Sequence, residues 1–527
     1  MNPTEPGSFS EVRPWTVEPE RMSWRGGIDE VRAQTLARLP GLVRRRRLPP
    51  IGRFMGAGLR IGAALALWSL RERGRGQLLS RAGLSRRLRG AFEKLGPAYI
   101  KLGQIVSSGR GFFPEELVAE FRSLRDHVPP EPFAAVRRSV EAELGRPLGD
   151  VFASFDPSCL ASASIAQVHA ARLRSGEEVV VKVQRESVER LVAKDIRAMA
   201  WIAPFLVGRI PIAALANPPA LVELFAETIS EELDFRLEAE NMLDIARVLR
   251  DAGSSVVIVP RPHPVLVTRR MLVMERLEGW SLEEAPEMRA AGIDTEAVLR
   301  QLMISFLEGA MIYGVFHGDL HGGNLFVMRD GRVALLDFGI TGRMDQKQRL
   351  AFLRMMVTGA INDLRGQLAA FRDLGALPED VDVEALIGVL KLEQAPRDPT
   401  AMSGEELVAE IQGVLKGLLA HGARLPKHLM LYVKNMIFLD GAIAQLAPDL
   451  DLFAEVTRIW SHFASQHGER IARELGFDPG QGQLDLTGMK ASLGLSADVE
   501  SLTHRELIAR REKVRERLEA VGASPRI

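Results

Sequence analysis

The segment HGDLHGGNLFVMRDGRVALLDFG, residues 317–339, constrains this chain more than any other stretch. Apolar runs flank Asp330-Gly331, a pair that favours a tight hairpin turn. Asp337 follows Asp319 by 18 residues, a separation that one such hairpin brings back to the same place. The segment also holds His317, His321, Asn324 and five glycines. A metal site, a base-and-ligand pair of a phosphotransferase, and a polar loop that ends a helix all fit those residues, and only the flanking sequence separates them.

Upstream, Ile165–Ala171 and Val179–Val183 read as strands joined by the turn RSGEE, and residues 256–279 supply further strands between helical stretches. From residue 295 helices dominate, interrupted by the hairpin. The chain of 527 residues exceeds the usual size of one domain, so cooperating lobes are expected: a small mixed one followed by a large helical one.

That order gives the opening segment a chemistry. Phosphoryl transfer needs a cation on the nucleotide phosphates, acidic and amide oxygens on magnesium, and an acceptor for the nucleophile's proton. Lys182, in VVVKVQ, lies on a predicted strand, and Glu238, in the helical EELDFRLEAEN, is its candidate partner. Asp319 is the candidate base, and Asn324 and Asp337 are candidate ligands for hard Mg²⁺, which prefers such oxygens. The stretch VMERLEG, with Glu275, lies between the lobes, where a connector would bond adenine through its backbone. No single piece is specific, but together they stand in kinase order. The competing zinc reading needs His317 and His321 on one helix face with a further ligand, whereas Gly318, Gly322 and Gly323 argue for a loop in which His317 is a brace.

Two parts of a conventional kinase are missing. Where a glycine-rich loop should precede Lys182, the sequence has ASASIAQVHAA, so Ala163 and Ser164 mark the expected phosphate-side turn and a serine or amide side chain must supply polar contacts. No A-P-E triplet follows DFGITGRMDQKQRLAFL, which leaves little room for a peptide-docking segment.

The first ninety residues differ from the rest. RRRRLPP at 44–50 precedes Phe54–Leu70, which is apolar apart from Arg60 and shorter than the ~20 residues of a spanning helix. Basic flanks and Trp68 suit either a helix lying on an anionic membrane surface or a soluble helix docked on the main body. Lysine plus arginine equals aspartate plus glutamate at 68 each, so bulk charge points to no nucleic-acid partner. One cysteine, Cys159, excludes an internal disulfide framework and suits a reducing compartment, and the N-terminus lacks the charged-then-apolar order of a secretory signal.

KLGQ at 101–104, ASASIAQVH at 161–169, ELD at 232–234, HGDLHGGN and DFGI together resemble the UbiB/ADCK (AarF-like) family of atypical kinase-like proteins. The resemblance implies an α+β, bilobal protein-kinase-like fold with a mixed N-lobe, a helical C-lobe and a helical N-terminal extension. Its expected divisions are a basic and apolar segment at 1–77, the extension at 78–150, the N-lobe at 151–280, the C-lobe at 281–470 and a helical tail at 471–527. It implies that Lys101 and Gln104 belong to a K-x-G-Q motif lying over the site, that Glu232 and Asp234 form an E-x-D partner for Lys101, and that Glu238 pairs with Lys182. It also implies ATP and Mg²⁺ binding, with ATPase or phosphotransferase activity in support of ubiquinone or related isoprenoid-lipid biosynthesis. A small-molecule or lipid kinase and a nucleotide-binding scaffold are the alternatives. The expected partners are a quinone-precursor lipid or membrane surface and lipid-biosynthesis enzymes, with a cytoplasmic location at the inner face of the membrane. The charged final helix, HRELIARREKVRERLEAVGA, departs from members that end in apolar spanning segments and shifts any anchoring role to residues 54–70.

Overall fold

The structure is a computed structural model and describes residues 22–44, 51–71, 77–108, 115–125, 129–206, 218–390, 392, 398–423, 426–476 and 484–520. Arg45, Arg46 and Arg47 of the basic run lie outside the described residues.

Among the described residues, six α-helices precede the first strand: α1 (Ile28–Val43), α2 (Ile51–Arg71), α3 (Gln77–Leu95), α4 (Pro97–Ser108), α5 (Glu115–Arg122) and α6 (Phe133–Leu144). Gly96-Pro97 sets the break between α3 and α4. Gly96 takes φ +99°, and proline opens the next helix where its missing N–H loses no bond. Within α4, a Cβ on Gly103 would fall 2.4 Å from Leu124 Cδ1 and 3.3 Å from the Phe121 ring, so glycine is what lets α4 press against α5 and the turn after it.

α2 has two apolar faces. Ala57 and Ala64 are buried and Ile61 and Trp68 half-buried, while Arg53 pairs with the buried Asp195 at 2.6 Å. On the other side Met55, Leu59 and Leu70 are 65%, 76% and 82% exposed. The helix is therefore docked on the main body and still presents apolar side chains outward.

An antiparallel five-stranded sheet follows, built from β1 (Phe152–Ser162), β2 (Ala166–Leu173) and β3 (Glu178–Gln184) and, after β4 (Val257–Ile258), from β5 (Pro262–Val267) and β6 (Met271–Glu275). Its order is β1-β2-β3-β6-β5. β2 and β3 are the two expected strands. β1 is a strand that alternation does not reveal, because it is an edge strand containing Pro157, with register shifts against β2. In β3, Val179, Val181 and Val183 pack with Val136, Val140 and Phe152 on one face. Alternation turns Lys182 and Gln184 to the other face, where Gln184 Nε2 donates to Leu233 O at 2.8 Å.

That second face meets α7 (Val188–Leu206), α8 (Pro218–Glu232) and α9 (Phe235–Asp251). Asp234, two residues past the end of α8, caps α9 by accepting the Arg236 N–H. The segment before α1 straps the extension to this lobe: Trp24 Nε1 donates to His263 O (3.1 Å), and Arg25 pairs with Glu240 (2.8 Å).

The C-lobe starts with α10 (Ala285–Ala290) and α11 (Thr295–Glu308), then a π-helical turn, Gly309–Tyr313. Four short strands come next: β7 (Val315–His317), β8 (Leu325–Val327), β9 (Val333–Leu335) and β10 (Thr341–Arg343). β8 and β9 form the expected hairpin, with Gly331 at φ +86° in its turn, and β10 pairs with β7. The remaining helices are α12 (Gln346–Ala360), α13 (Leu364–Asp373), α14 (Val383–Leu390), α15 (Gly404–Ala420), α16 (Lys427–Leu446), α17 (Leu452–Leu475), α18 (Thr487–Ser492) and α19 (His504–Ala520). α12 opens on a capping box of Asp345 and Gln348. The charged α19 is fastened by Arg517, which donates to Met402 O at 2.7 Å, and by the buried Leu518. Among the described residues, α16 is long and apolar enough to cross a membrane by length and composition, but it contributes Leu429, Tyr432, Leu439 and Ile443 to the core shared with α11 and α12. The architecture is the expected α+β, bilobal kinase-like one.

Candidate functional site

Lys182 Nζ reaches Glu238 Oε1 at 2.7 Å and Asp337 Oδ1 at 3.1 Å, and lies 5.4 Å from the centre of the Phe235 ring. Strand β3, helix α9 and the end of the β8–β9 hairpin thus meet on one ammonium. Glu238 also accepts the Phe338 N–H at 3.3 Å, and Asn241, one turn further along α9, donates to Phe338 O at 2.8 Å. α9 therefore holds both backbone polar groups of the residue after Asp337. Burial opposes the Lys182 charge, but Asp337 and Glu238 outweigh it and hold the ammonium's pKa above its ordinary value. Glu238 is 2% exposed, and burial pushes its carboxyl up to about 7 against the pull of Lys182.

The hairpin does what its turn implied. Leu325 faces Leu335 in register, and the Leu336 N–H donates to Asn324 O at 2.8 Å, which sets Asn324 beside Asp337. The Asn324 amide nitrogen donates to Asp319 O at 3.0 Å, which turns its side-chain oxygen into the acceptor left for a cation. Asp337 takes φ +55°, a conformation that aspartate tolerates better than most residues, and its side chain keeps 46% of its accessible surface. Lys182 and Lys101 outweigh burial and hold its carboxyl well below the usual range.

His317 braces the loop. Its Nδ1 accepts the Asp319 N–H at 3.1 Å and its Nε2 donates to Leu336 O at 3.1 Å, so the neutral Nε2–H tautomer fits and burial depresses its pKa. His321 Nδ1 accepts the Gly323 N–H at 3.1 Å and caps a short turn. Both His317 nitrogens are engaged in these bonds, which fits a brace and not a zinc ligand. Gly318 has a steric reason: a Cβ there would lie 2.7 Å from Ile340 Cγ2 and 3.0 Å from Ile340 O.

Asp319 forms a short ion pair with Lys434 of α16. Burial would raise its pKa, but Lys434, His321 and Lys101 prevail and hold the carboxylate far below its ordinary range. The next residue of α16, Asn435, is fully buried and accepts the Leu320 N–H at 2.9 Å while donating to His317 O. Neither residue was singled out in the sequence. The signal was there: Lys434-Asn435 is the polar interruption of the apolar run LMLYVKNMIFL.

From the extension, Lys101 Nζ reaches Glu232 Oε1 at 2.7 Å, with side-chain exposures of 12% and 7%. Its charge acts on Asp319 and Asp337 as well, and the three carboxylates keep Lys101 protonated while burial pushes Glu232 up. Glu232 also borders the catalytic hairpin, since a Cβ on Gly339 would lie 3.2 Å from Glu232 Cγ. Gln104 stands one turn from Lys101, half-buried, with Nε2 3.5 Å from Leu124 O.

Two expectations need correction. Asp234 is not a partner of Lys101; it caps α9 and pairs with Arg236 at 2.7 Å. The Glu275 N–H donates to Arg261 O at 2.9 Å and its carboxylate accepts the Arg261 N–H at 3.2 Å, so the N–H of Glu275 is not available to an adenine edge. At the alanine-rich turn, the Ala163 N–H donates to Ala166 O at 2.9 Å, closing the β1–β2 hairpin, and Ser164 is buried. Arg185, which sequence reading passed over, pins this turn through Ala163 O (3.1 Å) and Ser162 Oγ (2.9 Å).

Known proteins are similar to this chain in sequence. The ABC1 atypical kinase-like domain model matches residues 123–369. An uncharacterized protein of Mycobacterium tuberculosis is 37% identical over 385 residues, covering 71% of this chain and 77% of the relative. An uncharacterized chloroplastic aarF domain-containing protein kinase of Arabidopsis thaliana is 32% identical over 393 residues, covering 70% and 73%. A "Probable protein kinase UbiB" of Sodalis glossinidius is 30% identical over 405 residues, covering 75% and 72%. With relatives 30–37% identical over more than two thirds of their own length, the chain belongs to the UbiB/ADCK (AarF-like) family of atypical kinase-like proteins.

Proposed function

We propose that this protein binds Mg-ATP between its lobes and hydrolyses it or transfers its terminal phosphoryl group. The observation that carries the reading is the convergence of Lys182, Glu238 and Asp337 beside Asp319 and Asn324, five side chains from three elements of the chain. Glu238 holds the Lys182 ammonium toward the cleft, where it would meet nucleotide phosphate. Asp319 is the carboxylate that would orient an attacking water or hydroxyl. The donors fit magnesium: Asn324 offers an amide oxygen and Asp337 a half-exposed carboxylate, both hard ligands. When bound, the ion supplies positive charge that neutralises the phosphates.

Two features favour ATP hydrolysis or a small acceptor over a peptide. Lys101 lies over the approach to Asp319, and the chain passes from Asp337 through β10 straight into α12 at Gln346 without a docking segment. An isoprenoid or quinone-precursor lipid fits this restriction, in support of ubiquinone or related lipid biosynthesis alongside the enzymes of such a pathway. The outward face of α2, with Met55, Leu59 and Leu70, favours a peripheral position at the inner face of a membrane. A lipid or small-molecule kinase is the second reading, favoured by the same absence of a peptide dock.

The test is ADP release and phosphate incorporation, measured with and without liposomes and quinone-precursor phenols, for the parent and Lys182→Ala. ADP without a phosphorylated product supports the ATPase, and a labelled lipid or phenol supports the kinase. Equal turnover in parent and variant would overturn both.

A further inference from the structure

At the end of α11, a buried carboxylate meets two imidazole nitrogens of α17. Glu308, the last residue of α11, is 3% exposed. Among the described residues, the ionisable groups within ion-pair distance are His462 Nε2 and His467 Nε2 of α17, both on the same oxygen, Oε1, at 2.8 and 2.9 Å. The arginines of this region are committed elsewhere, Arg349 and Arg470 both pairing with Glu474 at 2.8 and 3.2 Å. A buried carboxylate needs compensation by positive charge, and here two imidazole nitrogens converge on one of its oxygens in metal-ligand fashion.

We propose that Glu308, His462 and His467 bind one zinc-class divalent cation, with water in the fourth position. The three donor atoms lie within 4.8 Å of one another, and two imidazoles with one carboxylate are a ligand set that zinc accepts. An ion about 2.1 Å from each donor places tetrahedral donors roughly 3.4 Å apart, so the two Glu308–histidine distances need to open by only about half an ångström. The His462 side chain is 31% exposed and that of His467 11%, which gives the ion a route in and its water a place. Magnesium is a poor occupant, since it prefers an all-oxygen shell, so this site is chemically distinct from Asn324 and Asp337.

The ion would staple α17 to α11 at the point where α11 passes into the π-helical turn Gly309–Tyr313, a turn that leads through β7 to His317. Its contribution is therefore to the C-lobe's rigidity rather than to chemistry at phosphate.

The full-length protein, stripped with EDTA and dialysed, is titrated with Co²⁺ and then Zn²⁺. One equivalent of cobalt with the intense visible absorption of a tetrahedral ion, displaced by zinc, is expected. His462→Ala/His467→Ala should weaken uptake by about a hundredfold or more, while Asp337→Asn keeps it. No stoichiometric uptake by the parent, or equal uptake by the double variant, overturns the proposal. Should the double variant fail to fold, X-ray absorption of the cobalt-loaded parent decides: two imidazoles and oxygen support the site, and an all-oxygen octahedral shell overturns it.

Discussion

Lys101 of the extension and Glu232 of α8 form an ion pair of 2.7 Å that is nearly closed to solvent on both sides. Two lobes and an accessory segment thereby share one contact beside Gly339. Lys101→Ala leaves a buried carboxylate uncompensated, a loss of about 3–5 kcal/mol for a dry pair. The thermal midpoint should fall, and adding Glu232→Gln should restore most of it, because the orphaned charge is gone. Nucleotide turnover should also change, with autophosphorylation emerging as the approach to Asp319 opens. If ADP release and phosphate incorporation in the folded Lys101→Ala variant match the parent, Lys101 does not guard the site.

Asp319 offers a test by pH. Lys434 is the leading charge that holds its carboxyl below the ordinary range against burial, so Lys434→Met should move that pKa upward. Because the folded-state pKa is depressed, the stability Asp319 contributes is present above its unfolded value and is lost as pH falls through the folded value. In the variant that loss begins at higher pH, and the acidic limb of the turnover profile shifts the same way. Superimposable pH–rate and pH–melting curves for variant and parent would show that the pairing does not set the state of Asp319.

Asp337→Asn separates metal binding from folding. Asparagine accepts the positive φ of this position as aspartate does, so the backbone stays in place. Mg-dependent ATP affinity should drop by about tenfold or more, which is about 1.4 kcal/mol, with a melting temperature close to the parent's. Affinity for ATP in EDTA should change far less. Calorimetry with and without magnesium checks this, and an unchanged Mg-ATP affinity removes Asp337 from the ligand set.

Leu59 and Leu70 test the outward face of α2. Burying a leucine contributes about 1.5–3 kcal/mol, so Leu59→Ser with Leu70→Ser should weaken liposome binding by a factor of ten to a hundred or more. Both side chains are exposed in the protein alone, so solution ATPase activity should be unaffected. Equal co-sedimentation of variant and parent would assign this face to something other than a membrane.

What could be read in the sequence was local. The Asp330-Gly331 turn and the alternation around Lys182 are each written in a few adjacent residues, so the hairpin and the strand lysine were legible. The choice between Glu232 and Asp234 was not, because it depends on where α8 stops and α9 is capped. Nor was it legible that the Glu275 N–H is taken by Arg261 O beside the β5–β6 pair, which no side-chain pattern reports. Lys434 and Asn435 stand more than a hundred residues from the loop they hold, and only the packing of α16 brings them there. β1 escaped because an irregular edge strand has no clean period of two.

Asn435 bears on how this protein divides into modules. The kinase-like match ends at residue 369, yet the loop bearing Asp319 is fastened through Leu320 and His317 to a side chain 66 residues beyond that limit. A minimal fragment cut at the homology boundary would retain every motif residue of the cleft and lose the amide that fixes their loop. A fragment meant to keep that loop fastened therefore runs through the end of α16, and the limit of the matched domain is not a place where the polypeptide can be severed without releasing it.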